Sequence, residues 1–293
     1  MTVRFRPPFE YWSFLLEVTR GCSHNSCSFC SMYRDEEFGV VPEEEVRAQI
    51  ERYARLRPRV RRAFLENGDA FVLSADRLLR VCDLLHGSFE ALGTISMYAS
   101  VPNIASKTDA ELAALARAGV DDLNVGLESG LDAALSHMNK GYTAAEATEQ
   151  LLRLGEAGMS FSANLILGIA GAGRGLENAR ATAEVVNRTR PRLVFTNTIH
   201  AEPGTPLREE MDAGAFAEPT VGEYLDEEEA LLEALDVPGC RFYGLHPSNV
   251  VLMEGDLDAD KDELLRKLRA ARADLAAELG EVPARGAEGM VGL

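Results

Sequence analysis

The sequence predicts an α/β protein: a partial (β/α)6 TIM-like barrel with a C-terminal helical extension. Three observations predict it. Six short apolar, strand-like runs alternate with helical patterns between Ser13 and Ile199, the signature of parallel βαβ units. Chemistry-bearing residues stand just after the strand runs, where barrels of this kind gather their sites. Beyond Thr205 the alternation stops and two helical patterns follow. An open doubly wound sheet is the second architecture compatible with the pattern. The division this suggests is a barrel over residues 1–207 and an extension over residues 208–293 packed on it.

Each element has its own warrant. Arg4–Trp12 is a Pro- and aromatic-rich lead-in packed against the body, and the first strand covers Ser13–Thr19. Pro42-Glu43-Glu44-Glu45 opens a helix, with proline in its first turn and acids at the positive end of its dipole. Val46, Ile50, Tyr53 and Leu56 form its apolar stripe. The second strand, Arg62–Leu65, ends at Glu66-Asn67-Gly68-Asp69; the next helix carries Leu78, Leu79, Val81, Cys82 and Leu85. After the third strand, Thr94–Tyr98, the capping box Thr108-Asp109-Ala110-Glu111 starts a helix that stops before Gly119. The fourth strand is Asp122–Leu127, and a second capping box, Thr143 to Glu146, starts a helix ending near Gly158. The fifth strand, Ser160–Leu167, meets a Gly-rich turn over Gly168–Gly173 and a helix to about Arg188; the sixth is Leu193–Ile199. In the extension, Glu223–Leu235 is an acidic helix. Lys261–Leu279 is amphipathic, with Leu264, Leu265, Leu268, Ala271, Leu275 and Leu279 on one face. Ala284–Leu293 reads as a mobile end.

Bulk numbers narrow the function classes. Of 293 residues, 46% are hydrophobic, which suits a soluble chain with a real core. Thirty Lys and Arg against 47 Asp and Glu give a net charge of −17, which disfavours nucleic acid as a partner. No apolar run approaches the roughly 20 residues of a membrane span, and Met1–Phe14 does not read as a signal peptide. Five cysteines, three of them clustered, read as metal-binding or catalytic in a reducing compartment, so the cytoplasm is the expected location.

The cluster is Cys22, Cys27 and Cys30, directly after the first strand. Soft thiolates select zinc or iron–sulfur clusters. Three thiols are one short of a complete structural zinc site or an ordinary [4Fe–4S] ligand set. His24 could complete a Cys3His zinc knuckle in a binding protein without redox chemistry. Alternatively, one iron is left open for another ligand.

Cys22, Cys27 and Cys30, with Phe29 before the last, resemble the cluster motif of the radical SAM superfamily, although the first spacing holds four residues instead of the usual three. The resemblance implies that three thiolates hold a [4Fe–4S] cluster whose fourth iron is chelated by the amino and carboxylate groups of S-adenosylmethionine. It also implies cleavage of that cofactor to methionine and a 5′-deoxyadenosyl radical, which takes hydrogen from a substrate. Matches recur at the strand ends. Asn67-Gly68-Asp69 occupies the position of the family's Gly-Gly-Glu-like motif, which makes Asp69 the expected anchor of the cofactor's amino group. Gly126-Leu127-Glu128-Ser129-Gly130, followed by Met138-Asn139-Lys140-Gly141-Tyr142-Thr143, resembles the branch with methylthiotransferases and coproporphyrinogen dehydrogenases. By that likeness Glu128 faces the ribose and Lys140 pairs with the methionine carboxylate; Ser129 joins the cofactor set or simply caps a helix. Asn164–Gly168, with Leu167, resembles the strand against adenine. His200 and Ala201, before Pro203-Gly204-Thr205-Pro206-Leu207, would meet the same base through their backbone. A chain that keeps the cluster but has lost catalysis is a further alternative.

Substrate groups are expected at the rim: Tyr98 and Ser100, His200 and Glu202, and Tyr243, His246 and Asn249. His246, Tyr98 and Cys240 are the candidates for catalytic roles, Cys240 as a hydrogen donor with burial as its competing explanation. Cys82 reads as core. The expected partners are a small-molecule substrate and an electron donor such as flavodoxin or ferredoxin, with neither nucleic acid nor membrane involved. Arg47–Arg62 reads as a solvated helix face, with docking of the acidic donor as the alternative.

Overall fold

The computed structural model describes residues 6–283. Strands are β1 (Phe14–Glu17), β2 (Thr19–Arg20), β3 (Gly39–Val40), β4 (Arg62–Glu66), β5 (Thr94–Ala99), β6 (Leu123–Glu128), β7 (Phe161–Leu167), β8 (Leu193–Thr198), β9 (Arg241–Gly244) and β10 (Met253–Asp256). Helices are α1 (Glu43–Leu56), α2 (Ala75–Ser88), α3 (Val101–Ala105), α4 (Asp109–Arg117), α5 (Asp132–His137), α6 (Ala144–Glu156), α7 (Gly175–Thr189), α8 (Pro206–Asp212), α9 (Val221–Ala234) and α10 (Lys261–Asp274). Both expected capping boxes form, at Thr108 with Glu111 and Thr143 with Glu146. The segment expected to be mobile, Ala284–Leu293, and Arg4 and Phe5 of the lead-in, lie outside the described residues.

Eight strands form one sheet in the order β1-β4-β5-β6-β7-β8-β9-β10. Every pairing in it from β1 to β9 is parallel, and only β10 runs antiparallel. The six expected strands are all present, in sequence order. The expected C-terminal helical extension also supplies strands: β9 extends the parallel series by pairing with β8, and β10 turns back along it. Leu193, Val194 and Phe195 pair with Arg241, Phe242 and Tyr243. The run Arg241–Gly244, flanked by Pro238-Gly239 and Pro247, is too short to announce itself as a strand without its neighbour.

The outer face of the strands is buried throughout, and the inner face is partly open. Leu15, Glu17, Tyr98, Gly126, Asn164, Phe195, Asn197 and Tyr243 are half-buried on the inner face, which also holds the buried Phe64, Ser96, Asn124, Ser162 and Ile166. Cross-strand partners share a face, so the pairs Gly126–Asn164, Asn164–Phe195 and Phe195–Tyr243 mark one inner surface. The outer surface packs Leu16, Leu65, Met97, Val125, Leu165, Val194 and Phe242 under the helices, all at most 1% exposed. Each fully buried side chain of this kind contributes about 1.5–3 kcal/mol.

A charge network lies where the strands begin. Arg62, the first residue of β4, pairs with Glu10 and with Asp122, 2.7 Å away, and Arg192 reaches Asp122 at 2.6 Å. Glu10 is fully buried. Arg62 is therefore no solvated residue, contrary to the expectation for the end of the Arg-rich run. That run also ends far from the cysteines. Helix α1 starts just after the cysteine loop and returns to the opposite end of the sheet, taking Arg55, Arg57, Arg59 and Arg61 with it.

Candidate active site

The cysteine loop is pinched at its base by the hairpin of β2 and β3, with Thr19 opposite Val40 and Arg20 opposite Gly39. Sequence reasoning missed this hairpin because two-residue strands carry no periodicity. Cys22, Cys27 and Cys30 all keep part of their surface exposed. Burial pushes the Cys27 thiol upward and the Cys30 thiol to about 11, so ligation would displace protons. Arg34 braces the loop: its Nε donates to the Cys30 carbonyl at 3.0 Å and its Nη2 to the Cys27 carbonyl at 2.6 Å.

The four-residue first spacing has a structural use. Asn25 takes a left-handed conformation (φ 39°) and its amide donates to the Tyr33 carbonyl at 2.7 Å. This arrangement presents His24 Nε2 to the Asn139 carbonyl (2.6 Å) and the Ser26 carbonyl to the Asn139 amide (2.8 Å). Asn139 directly precedes Lys140, so the added residue clasps the segment that delivers Lys140. His24 is thereby turned to Asn139. Among the described residues no three His, Cys, Asp or Glu side chains converge closely enough for a single metal ion.

Two of the family-like motifs dock on the same few backbone atoms. Ser28 N–H donates to the Met138 carbonyl (3.1 Å), and Leu207 N–H donates to the Ser28 carbonyl (3.0 Å). The Met138–Thr143 and Pro203–Leu207 segments thus share one anchor, the backbone beside Phe29.

Asn67-Gly68-Asp69 divides its work. Asn67, at φ 77°, donates to the Thr19 carbonyl at 2.7 Å and ties β4 to the loop. Gly68 N–H donates to the Gly21 carbonyl (3.2 Å), and a Cβ on Gly68 would stand only 2.7 Å from Cys22 Cβ. Asp69 is 2% exposed. Its Oδ2 accepts from Ser23 Oγ (2.8 Å), Ser100 Oγ (3.3 Å) and the Asn103 amide, whereas its buried Oδ1 has no partner. Burial raises its pKa to about 6 against the opposing pull of those hydroxyls and Lys107. Ser100, expected at the substrate rim, helps hold Asp69. Asn103 went unrecognised because the five-residue α3 gives too little pattern to read.

At the end of β6, Glu128 sits at φ 60° beside a shift in register, a strained conformation costing on the order of 1–3 kcal/mol. Its Oε1 folds back over Gly126, where a Cβ would lie 2.5 Å away, and accepts from Lys140 Nζ at 2.9 Å. The side chains are only 12% and 11% exposed. Burial disfavours the Lys140 ammonium, but Glu128 beside it outweighs that and holds the pKa well above its ordinary value. The Lys140 ammonium lies 6.0 Å from the centre of the Phe29 ring and 5.9 Å from that of Tyr142.

Other expected residues fall elsewhere. Ser129 is fully buried and points at α7: its Oγ donates to Asn178 and accepts from Leu131 N–H at 2.9 Å, which leaves it as a local brace. Leu167 is buried at the end of β7, and Ala201 is buried beside His200 after β8. His200 Nε2 lies 3.1 Å from Glu202 Oε1. Tyr98 lines the inner surface edge-on to Phe64, with 5.4 Å between ring centres. His246 follows β9 at the same end of the sheet, near His200. Cys240 does not join the site. It is buried at the start of β9, at the opposite end, and burial pushes its thiol to about 12. Cys82 is core, as expected.

The chemistry of these groups fits a cluster and an amino-acid-like cofactor: three soft donors, an orphaned carboxylate oxygen for an amino group, and a buried ammonium for a carboxylate. A parallel α/β sheet with such a site at the strand C-termini defines an enzyme of the partial-barrel type. Residues 16–175 match the family model of the radical SAM superfamily, and the chain belongs to that superfamily. Its cofactors are therefore a [4Fe–4S] cluster and S-adenosylmethionine.

Solved structures agree on the fold. A radical S-adenosylmethionine methyltransferase, TsrM, from Kitasatospora setae aligns at a TM-score of 0.56 and 19% identity, over 69% of this chain and 39% of that one. Methylornithine synthase (PylB) aligns at 0.53 and 15% identity, over 93% and 83%. HydG, a maturase of the [FeFe]-hydrogenase, aligns at 0.56 and 12%, over 87% and 54%. This chain thus spans well under half the length of TsrM. No curated protein matches it.

Proposed function

We propose that this chain uses Cys22, Cys27 and Cys30 to hold the cluster, and Asp69, Glu128 and Lys140 to hold S-adenosylmethionine, in order to take hydrogen from a small-molecule substrate. The observation that carries the assignment is the buried, unpartnered Asp69 Oδ1 beside the cysteine loop. A buried acceptor without a donor costs free energy unless a ligand completes it. When bound, the cluster and S-adenosylmethionine supply the electron and the 5′-deoxyadenosyl radical that such hydrogen abstraction requires.

In this reading the protein's own groups bind and orient. Asp69, ionised above about pH 6, accepts a hydrogen bond from the cofactor's amino group. Lys140 shares its protons between Glu128 and the methionine carboxylate, Glu128 turns its second oxygen to the ribose, and Phe29 shields Lys140. Leu167 and the backbone of His200 and Ala201 close around the adenine. Tyr98 lines the inner surface ahead of the substrate. The electron donor, of the flavodoxin or ferredoxin kind, would approach the cysteine loop at exposed Met32 and Arg34. A cytoplasmic location belongs to the same proposal; among the described residues no helix is long and apolar enough to cross a membrane.

Anaerobically reconstituted protein should be brown, carry about four irons, and form 5′-deoxyadenosine from S-adenosylmethionine and dithionite. Colourless protein with one zinc, or no more product than a Cys30→Ala control gives, would refute it.

A further inference from the structure

The inner wall formed by β8 and β9 carries groups that the cofactor assignment leaves unused. Phe9, Tyr243, Phe195 and His246 climb it in contact. Phe9 meets Tyr243 edge-on at 5.9 Å, Tyr243 stacks on Phe195 at 5.7 Å, and Phe195 meets the His246 ring edge-on at 5.9 Å. All four are half-buried, so the ladder is packed but still reachable. Phe64 and Tyr98 form a second aromatic pair on β4 and β5.

The hydrogen bonds around His246 fix its protonation pattern. Thr198 N–H donates to Ser248 Oγ at 3.0 Å, which occupies an acceptor position of that hydroxyl. Ser248 Oγ lies 2.7 Å from His246 Nδ1, and Ser248 N–H, which can only donate, points at the same nitrogen from 3.3 Å. Nδ1 is therefore the acceptor, and the ring proton sits on Nε2. Burial and the neighbouring His200 lower the His246 pKa, which keeps the ring neutral. Glu202 is the acid of this wall, paired with His200, and Lys140 is already taken by Glu128.

We infer that the substrate is a planar, largely apolar molecule whose carboxylate or carbonyl oxygen accepts a hydrogen bond from His246 Nε2–H, with its body against Phe195 and Tyr243. The donors named on this wall, His246 Nε2–H and the Tyr243 hydroxyl, are neutral, and its acid, Glu202, is paired with His200, so polyphosphates and cationic amines are the wrong chemistry. This inference rests on the reading of the chain as a radical enzyme with a small-molecule substrate, and it names the class of that substrate.

The test uses cluster-loaded protein labelled with 15N-histidine, with 2-naphthoate and 2-naphthylmethylamine as probes. His246 is assigned by its loss in His246→Asn. The expected result is a neutral ring protonated on Nε2, whose Nε2 resonance moves on addition of millimolar 2-naphthoate but not of the amine. Ser248→Ala should keep the proton on Nε2, because the backbone N–H at position 248 still donates to Nδ1, and His246→Ala should weaken naphthoate binding by about 10- to 100-fold, the value of one hydrogen bond to an ionised carboxylate. A ring protonated on Nδ1, an Nε2 signal indifferent to naphthoate, or an equal response to the amine would overturn the inference. None of these readouts depends on 5′-deoxyadenosine formation, so the substrate class and the radical chemistry fail separately.

Discussion

Replacing Asp69 by Asn should make the protein more stable and its cofactor binding worse. Burial raises the Asp69 pKa from 3.8 to about 6. A carboxyl whose folded pKa is raised is neutral, and costs nothing, below its unfolded pKa. Its penalty grows as pH rises from about 4 to about 6 and is complete above that. A shift of about two units at ~1.4 kcal/mol each amounts to about 3 kcal/mol lost above pH 6. Asn is isosteric and uncharged. With its oxygen in the Oδ2 position it still accepts from Ser23, Ser100 and Asn103, and only its amide, where Oδ1 was, goes without a partner. Without ligand, Asp69→Asn should therefore gain about 1–3 kcal/mol in chemical denaturation at pH 8, with the gap to wild type roughly halved at pH 5. Comparing variants at each pH cancels the general titration of a chain with a net charge of −17. S-adenosylmethionine affinity should move the other way, down about 10- to 100-fold, because a charge-assisted hydrogen bond is worth about 1.5–3 kcal/mol. Wild-type affinity should fall as pH drops through 6, and that dependence should vanish in the variant. A variant that is less stable at pH 8, or that binds the cofactor as tightly as wild type, would refute the reasoning.

Lys140→Ala strands a Glu128 carboxylate that is 12% exposed; it should lose about 3 kcal/mol of stability together with S-adenosylmethionine affinity, read by denaturation and by calorimetric titration. Gly68→Ala places a methyl 2.7 Å from Cys22 Cβ and 2.9 Å from the Tyr33 ring, so iron content after reconstitution should fall well below that of wild type while helix content by circular dichroism is retained. Arg62→Met leaves Glu10 fully buried and unmatched; a loss of about 3 kcal/mol with unchanged cofactor affinity is expected, since the pair lies at the end of the sheet away from the cysteines. Asn25→Ala removes both the amide bond to Tyr33 and a residue suited to φ 39°; it should cost about 1–2 kcal/mol and loosen the Lys140 segment, measured as faster hydrogen exchange over residues 138–141.

Local chemistry made much of this protein legible in its sequence. Capping boxes at Thr108 and Thr143 wrote helix starts into four residues each. Strands flanked by helices produced apolar runs that stand out whatever surrounds them. Three cysteines in nine residues announced a soft-ligand loop, and the motif residues after β4 and β6 lie at the strand ends where they were expected. What stayed hidden was short or dependent on a partner. The hairpin of β2 and β3 and the strands β9 and β10 exist because a neighbour offers them hydrogen bonds, and two to four residues carry no period of their own.

The same division runs through the site. Residue types are a property of the sequence: thiols for a soft metal, an acid and a lysine for an amino-acid-like cofactor. Their division of labour is not. Asn67, Gly68 and Asp69 are consecutive, yet one ties a backbone, one makes room for Cys22, and only the last keeps an oxygen open. Ser129 and Ser100 look equally available in the chain, but one is turned into the helix layer and the other holds Asp69. Sequence by itself determined the alternation of strands and helices, because hydrophobic periodicity and capping act over a few residues. Only the tertiary structure decided which polar atoms were left without partners, because burial and hydrogen-bond satisfaction depend on groups brought together from distant parts of the chain.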